Sequence, residues 1–169
     1  MIERYSRKEI RNIWTDKNKY KIWLDIELAS AEAMEKLNII PKGVVKKIKS
    51  RAKIDVARIL KIEESVKHDV IAFLTSINEK AGKEARFLHK GMTSSDVLDT
   101  CFSLQLKKSG EILLNDIKIL LVSIKKQAIK HKKTLCIGRS HGIHAEPITF
   151  GLKMLTFYQE FLRNKKRLE

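Results

Sequence analysis

Residues 138–147, with the sequence GRSHGIHAEP, form the densest group of residues in the chain that could do chemistry. Two glycines flank an arginine, a serine and His141. Each glycine raises the backbone entropy lost on folding, so this composition indicates a backbone shape that the fold requires. An imidazole gains or loses a proton near neutral pH, and His141 is the stronger of the segment's two candidates for a general acid or base because it lies between the two flexible glycines. A zinc site on His141 and His144 is disfavoured because no Cys or carboxylate pattern completes it.

A second group, Lys67, His68 and Asp69, lies where a helix is expected to begin. Free backbone N–H groups at a helix start attract anions, and Asp69 could serve as the cap. On these residues alone the favoured interpretation is a plain helix cap with a surface histidine, because one carboxylate beside an imidazole is not yet a mechanism.

A third group occupies residues 89–96, HKGMTSSD, ahead of another expected helix. The segment offers four polar groups, three hydroxyls and one carboxylate, and capping that helix would use one or two of the four. The remaining hydroxyls lie beside a glycine that lets backbone approach closely, and they could bind carboxylate or phosphate oxygens. The capping and the ligand-binding interpretations both remain open at this point.

Long helices are predicted to position these groups, because only seven Gly and two Pro interrupt 169 residues. An apolar stripe in three- and four-residue steps predicts a helix that Thr15 or Asp16 caps and that stops near Asn38. That stripe consists of Tyr20, Trp23, Leu24, Glu27, Leu28, Ala31 and Met34.

A helix about 50 Å long is expected to begin at residues 93–95 and to continue to about Lys130. Its length favours a bundle or an oligomer. The GRSHGIHAEP segment is predicted to be an irregular connection, with Pro147 in the first turn of a last helix that is still running at Glu169. An ending inside a helix predicts a truncated chain. Shorter helices are expected at about 42–51, 55–63 and 69–81, the last of them capped by Gly82.

The formal charge of +15 first favours anionic partners, nucleic acid among them. The basic residues, however, are spread along every predicted helix, and the sequence has no basic run interleaved with aromatics and no zinc or helix-turn-helix signature. A basic nucleic-acid-binding module is therefore a less favoured alternative. A catalytically inactive helical fragment or scaffold is the more favoured alternative.

Size and composition predict a soluble protein with a real core, comprising one domain or one domain and part of another. The chain is 43% hydrophobic, but it has neither an uncharged run long enough for a membrane span nor an apolar signal core. Its two cysteines are too few for a disulfide framework. We expect a cytoplasmic protein in a reducing compartment, with no nucleic-acid and no membrane partner.

Four segments resemble the adenylosuccinate lyase family, in that family's order and spacing. These are residues 1–34, with the RYS and WTD motifs, KHDVIAF at 67–73, TSSDVLDT at 93–100 and GRSHGIHAEPITFGLK at 138–153. The third and fourth also resemble the broader fumarase/aspartase superfamily. Ser140 stands where many members have Thr, a difference that keeps the hydroxyl.

The resemblance implies a β-elimination that releases fumarate from adenylosuccinate to give AMP, and also from the succinylaminoimidazole carboxamide ribotide of de novo purine synthesis. A base removes the proton next to a carboxylate, and an acid protonates the departing nitrogen. His141 matches the family's general acid, and His68 would support it. The residues that match nucleotide-binding or succinyl-binding positions are Arg4, Tyr5, Lys67, His68, Asp69, Thr93, Ser94 and, in a looser local motif, His89.

The resemblance also implies an all-α fold. Residues 1–110 would form the N-terminal helical domain, and residues 111–169 the first long helices of a central helical bundle. Members are homotetramers whose active sites combine three chains, and no metal or organic cofactor is implied. The family's catalytic base is a Ser on a flexible loop that these 169 residues lack. We therefore expect this chain alone to lack normal lyase activity.

Overall fold

The computed structural model describes residues 2–169, which are mainly helical. The chain forms two compact units, the first unit Met1–Lys107 and the second unit Lys108–Glu169. The elements in the described residues are α1 (Lys8–Ile13), α2 (Asp16–Lys36), α3 (Val44–Arg51), α4 (Val56–Val66), α5 (Asp69–Ala81), α6 (Ser94–Lys130), β1 (Leu135–Ser140), β2 (Ile143–Thr149) and α7 (Phe150–Leu168), with 3-10 helices at Glu3–Tyr5 and Gly82–Phe87.

The core of the first unit is built around the apolar face of α2, as the spacing of its residues predicts. Tyr20 and Trp23 meet edge to face with ring centroids 5.2 Å apart, and Phe73 of α5 packs against both rings, at 6.0 and 5.5 Å. Such pairs add to the free energy gained by burying the rings. This cluster fixes α5, and with it the residues at the start of α5, against α2.

The helix ends of the first unit follow local sequence signals. The Thr15 hydroxyl accepts a hydrogen bond from the backbone N–H of Asn18, which confirms the predicted cap of α2. Gly82, with φ of 77°, ends α5 as predicted. The third predicted short helix coincides with α5, whereas α4 runs three residues beyond its predicted end at residue 63.

The chain is mainly helical, as predicted, but residues 135–149, which include the predicted irregular connection, form an antiparallel hairpin. Leu135 pairs with Thr149 and Ser140 with Ile143. Pro147 lies inside β2 opposite Ile137, so its predicted place in a helix was wrong. A proline is tolerated there because both strands of a two-stranded sheet are edges.

The last helix begins three residues after Pro147. The Thr149 hydroxyl caps α7 by accepting a hydrogen bond from Leu152 N, and Phe150 N donates to the carbonyl of Thr134. The hairpin is thereby fixed at its base, between the end of α6 and the start of α7. No helix within residues 2–169 combines the length and the apolarity that a membrane crossing requires.

Candidate active-site residues

His141 occupies the tip of the hairpin in the second unit. His141 and Gly142 are the two residues of the turn, and both have left-handed backbones, with φ of 50° and 75°. Two positive φ angles in a row are the mark of the type I′ turn, whose twist matches that of paired strands. The His141 side chain is exposed, and its ring forms no hydrogen bond within residues 2–169. The turn therefore presents an imidazole that is available to a ligand.

A glycine is required at position 138 for a different structural reason. The strand pairing shifts register between Ile137 and Arg139, and a Cβ placed on Gly138 would lie 2.8 Å from the carbonyl oxygen of Glu146. Real Cβ atoms do not approach a carbonyl oxygen so closely, so this β-bulge requires glycine. The special backbone shape that GRSHGIHAEP predicts is therefore a bulged hairpin ending in a tight turn.

The Lys67-His68-Asp69 group marks the passage from α4 to α5. Lys67 ends α4 in a left-handed conformation, with φ of 54°. His68 is the N-cap of α5, and its Nδ1 accepts a hydrogen bond from the backbone N–H of Ile71 at 3.4 Å. The expectation that Asp69 is the cap was wrong, because the imidazole takes that place. Asp69 is the first residue of the helix, and its carboxylate accepts from Val70 N at 2.7 Å.

The role of His68 as the N-cap determines which of its ring nitrogens carries the proton. Because Nδ1 accepts a hydrogen bond, the neutral ring must carry its proton on Nε2. The side chains of His68 and Asp69 are 47% and 41% exposed, and Nδ1 lies 3.7 Å from the Asp69 carboxylate. His68 is thus a helix cap whose Nε2–H can still donate to another group.

Thr93, Ser94 and Asp96 form the start of α6. The Asp96 carboxylate accepts from the backbone N–H of Thr93 at 2.8 Å, while Asp96 N donates to the Thr93 carbonyl at 3.0 Å. The hydroxyls of Thr93 and Ser94 make no hydrogen bond to any residue in the range 2–169. Capping therefore uses the carboxylate of this group and leaves both hydroxyls available to a ligand.

Arg4 and Tyr5 lie on the short 3-10 helix near the start of the chain. The Arg4 guanidinium lies 4.8 Å from the centre of the Tyr5 ring, and the Tyr5 side chain is 74% exposed. An ion pair of 3.3 Å between Glu3 and Arg11 ties this segment to α1. The two residues form an exposed pair of a cation and an aromatic ring.

His89 differs from the other candidates because a buried acid holds it. Oε1 of Glu27 lies 2.7 Å from His89 Nδ1, and Oε2 accepts from His89 N at 2.6 Å. Sequence reasoning placed Glu27 in the apolar stripe of α2 and missed this partnership. The available signal was an acidic residue at a position where the helical spacing demands burial.

The first unit contains four of the candidate groups, centred on Arg4, His68, His89 and Thr93. None of them forms a hydrogen bond or an ion pair with another in the described part of the chain. Residues 2–169 also hold no cluster of three or more His, Cys, Asp or Glu side chains suited to a metal ion. Each group is built locally, by a helix end or by one buried partner.

Comparison with known proteins identifies the family. A family model described as "Lyase" matches residues 3–169. Curated adenylosuccinate lyases of Synechocystis sp. and Bacillus subtilis are 51% and 46% identical to this chain over 168 and 169 residues. The matches cover 99% and 100% of this chain but 39% of each relative, so the chain spans about two fifths of the length of these relatives.

Two solved structures share the fold of this chain. A fumarate lyase from Mesorhizobium sp. BNC1 matches with a TM-score of 0.88 and 25% identity, over 96% of this chain and 39% of that one. A 3-carboxy-cis,cis-muconate lactonizing enzyme from Pseudomonas putida matches with a TM-score of 0.88 and 26% identity, over 97% and 39%. Since the family model covers nearly the whole sequence, the chain belongs to this lyase family, within the fumarase/aspartase superfamily that its motifs resemble.

Proposed function

We propose that this chain forms the N-terminal part of an adenylosuccinate lyase. The enzyme would release fumarate from adenylosuccinate to give AMP, and from succinylaminoimidazole carboxamide ribotide in purine synthesis. The observation that carries the proposal is 46–51% identity to curated adenylosuccinate lyases over essentially the whole chain.

In this reaction His141 is the general acid. A base takes a proton from the carbon next to a carboxylate, the C–N bond breaks, the C=C bond of fumarate forms, and the acid protonates the departing nitrogen. The exposed imidazole on a two-residue turn supports this role, because it can be positioned by the backbone and still reach a ligand. His68, with Nε2–H available, supports His141.

The remaining candidates bind the nucleotide and the succinyl group. The Arg4 guanidinium is suited to anionic oxygens of the nucleotide, with Tyr5 beside it, and Lys67 and Asp69 line the site next to His68. The hydroxyls of Thr93 and Ser94 can donate to succinyl oxygens. His89 is a further site histidine, and no metal or organic cofactor enters the reaction.

In this proposal, residues outside these 169 complete the active site. Within residues 2–169 the candidate groups of the first unit form no hydrogen bond or ion pair with one another, and the curated relatives are longer than this chain. We propose a cytoplasmic homotetramer with shared active sites, in which residues 1–110 form the N-terminal domain and residues 111–169 begin the helical bundle. The catalytic base lies outside these residues, so the 169-residue chain alone has no normal activity.

A hybrid enzyme tests the proposal. In this hybrid, the 169-residue chain replaces the matching residues of the Bacillus subtilis adenylosuccinate lyase, to which it is 46% identical. Conversion of adenylosuccinate to AMP is followed by absorbance. We expect activity in the hybrid, a loss of about a hundredfold or more on His141→Gln, and no turnover by the isolated chain.

Two results would contradict the proposal. One is a folded tetrameric hybrid without activity, since the supplied residues would then be unable to form the site. The other is a His141→Gln hybrid as active as its parent, because a scaffold would tolerate that change and a general acid would not.

A further inference from the structure

Glu27 is a fully buried carboxylate in the middle of α2, and it interacts with a residue 62 positions later in the chain. Its two oxygens accept from the same residue, Oε2 from the backbone N–H of His89 at 2.6 Å and Oε1 from the ring Nδ1 at 2.7 Å. Burying a carboxylate is costly unless its oxygens are hydrogen-bonded. Both bonds of Glu27 thus serve to fix the position of His89.

The backbone of His89 shows what the carboxylate holds in place. His89 has φ of 59°, a left-handed conformation that costs energy in a residue with a side chain. The bond from Glu27 to His89 N stabilises this backbone conformation. The bond to Nδ1 restricts rotation of the imidazole ring. A single acid therefore fixes both the backbone conformation of His89 and the orientation of its ring.

The same contact favours one tautomer. The carboxylate form of Glu27 can only accept a hydrogen bond, and with that form His89 Nδ1 carries a proton and Nε2 of the neutral ring has the free lone pair. Nε2 has no hydrogen-bond partner in residues 2–169, and the side chain is 19% exposed. The ring is therefore held by one nitrogen and open to a ligand at the other.

We propose that Glu27 is a positioning residue that holds His89 in the Nδ1–H tautomer, with Nε2 directed to the nucleotide substrate. This inference rests on the proposed function, in which His89 is a site histidine. Glu27 does not touch the substrate in this scheme and acts only through His89.

Nitrogen-15 NMR of the histidine rings in the 169-residue chain tests the tautomer without any activity measurement. At a pH that leaves the ring neutral, we expect His89 to show the Nδ1–H form, with the signal assigned by its loss in His89→Gln. In Glu27→Gln the amide can donate to Nδ1, so the ring should shift towards the Nε2–H form that free imidazoles prefer. Should Glu27→Gln fail to fold, the wild-type spectrum still decides, because a neutral His89 in the Nε2–H form would overturn the proposal.

Glu35→Gln is the matched control. Glu35 lies on the same helix, and its carboxylate also accepts from a backbone N–H, that of Val45 at 2.6 Å, but it contacts no histidine. The control should leave the His89 ring signals unchanged. Equal changes in Glu27→Gln and Glu35→Gln would indicate a general disturbance of α2 and would contradict a specific role for Glu27.

The hybrid enzyme tests whether Glu27 acts through His89. We expect Glu27→Gln to lower kcat/KM about tenfold, and to lower it little further when His89→Gln is already present. Fully additive losses would mean that Glu27 acts elsewhere and would overturn the proposal. An inactive hybrid whose wild-type chain still shows the Nδ1–H tautomer would contradict the proposed function and leave the tautomer assignment standing.

Discussion

Gly151 lies so close to the end of α6 that a Cβ on it would stand 2.5 Å from the carbonyl oxygen of Ala128. The same Cβ would lie 2.7 Å from the backbone N and Cα of Lys132, and Gly151 N donates to the carbonyl of His131 at 3.0 Å. Backbone therefore packs on backbone where α7 begins. No side chain fits between the two helices at this point.

We expect Gly151→Ala to destabilise the second unit by about 1–3 kcal/mol, the usual cost of adding atoms to a filled contact. The measurement is urea denaturation followed by circular dichroism. Gly110→Ala is the control, because that glycine lies within α6 with nothing within 4 Å of the added Cβ. Its free energy of unfolding should rise slightly, since alanine favours helix. Equal stability of the two variants would contradict the close contact at Gly151.

The turn at the tip of the hairpin predicts that His141→Asn maintains or raises stability but lowers activity. Asn-Gly is the preferred sequence of a type I′ turn, and asparagine tolerates the left-handed backbone better than histidine. His141→Asn should therefore leave the free energy of unfolding unchanged or raise it by up to about 1 kcal/mol. In the hybrid enzyme the same change should lower turnover by about a hundredfold or more, as His141→Gln does.

A clear loss of stability in His141→Asn, seen by thermal denaturation of the 169-residue chain, would contradict the turn assignment. Gly142→Ala is the companion variant. Its φ of 75° disfavours any side chain, so it should lose about 1 kcal/mol while the imidazole remains.

The hairpin also shows where sequence reasoning failed. The apolar spacing that specifies a helix lies within one continuous segment of sequence. The extents of α5 and α6 could therefore be predicted from their apolar positions and caps. Residues 135–149 owe their conformation to pairing between two short strands that are stable only together. Their turn is His-Gly, which gives a weaker signal than Asn-Gly, and Pro147 suggested a helix start.

The candidate site residues also fall into two classes, those that local sequence signals located and those that only the folded core brings together. The sequence placed His68 and Thr93 at helix starts, because capping groups are local signals, and it placed His141 only within the connection that precedes the last helix. The partnership of Glu27 and His89 joins residues 62 apart, so only the folded core brings them together. A buried acid in an apolar stripe signals that a partner exists, but the sequence alone does not identify that partner.

Glu84 predicts a pH dependence of stability. Its side chain is 10% exposed and pairs with Lys47 at 3.3 Å and Arg51 at 3.6 Å. A hydrogen bond from its own backbone N–H, then the bond from Lys47, lowers the pKa of the Glu84 carboxyl below its ordinary value of 4.5. A carboxyl whose pKa falls on folding stabilises the fold above its unfolded pKa, and this stabilisation is lost as the pH falls through the folded pKa.

We therefore expect Glu84→Gln to be less stable than the wild type at pH 7. The difference should shrink as the pH drops from about 4.5 towards the lower folded value. Denaturant titrations at several pH values measure it. Glu32→Gln is the control, because Glu32 pairs with Lys49 at 3.8 Å with both side chains half exposed, so its loss should change little. A difference that persists unchanged at pH 3 would contradict the role of the Glu84 charge.

Gln105 on α6 predicts a coupling to the first residues of the chain. Its side-chain amide, almost fully buried, donates to the carbonyl of Ile13 at the end of α1 at 2.8 Å, and Asn18 donates to the same oxygen at 2.9 Å. A helix end leaves carbonyls without intrahelical partners, and these two amides satisfy one of them. The contact secures the end of the segment that carries Arg4 and Tyr5.

We expect Gln105→Ala to cost about 1–2 kcal/mol and to increase amide hydrogen exchange in residues 2–14 more than in α5. Because Asn18 still bonds to the Ile13 carbonyl, the segment should loosen without unfolding. Gln127→Ala, at an exposed position of the same helix, is the matched control and should leave the exchange pattern unchanged. If exchange rises equally in α5 and in residues 2–14, the amide of Gln105 stabilises the first unit as a whole, and the specific attachment is wrong.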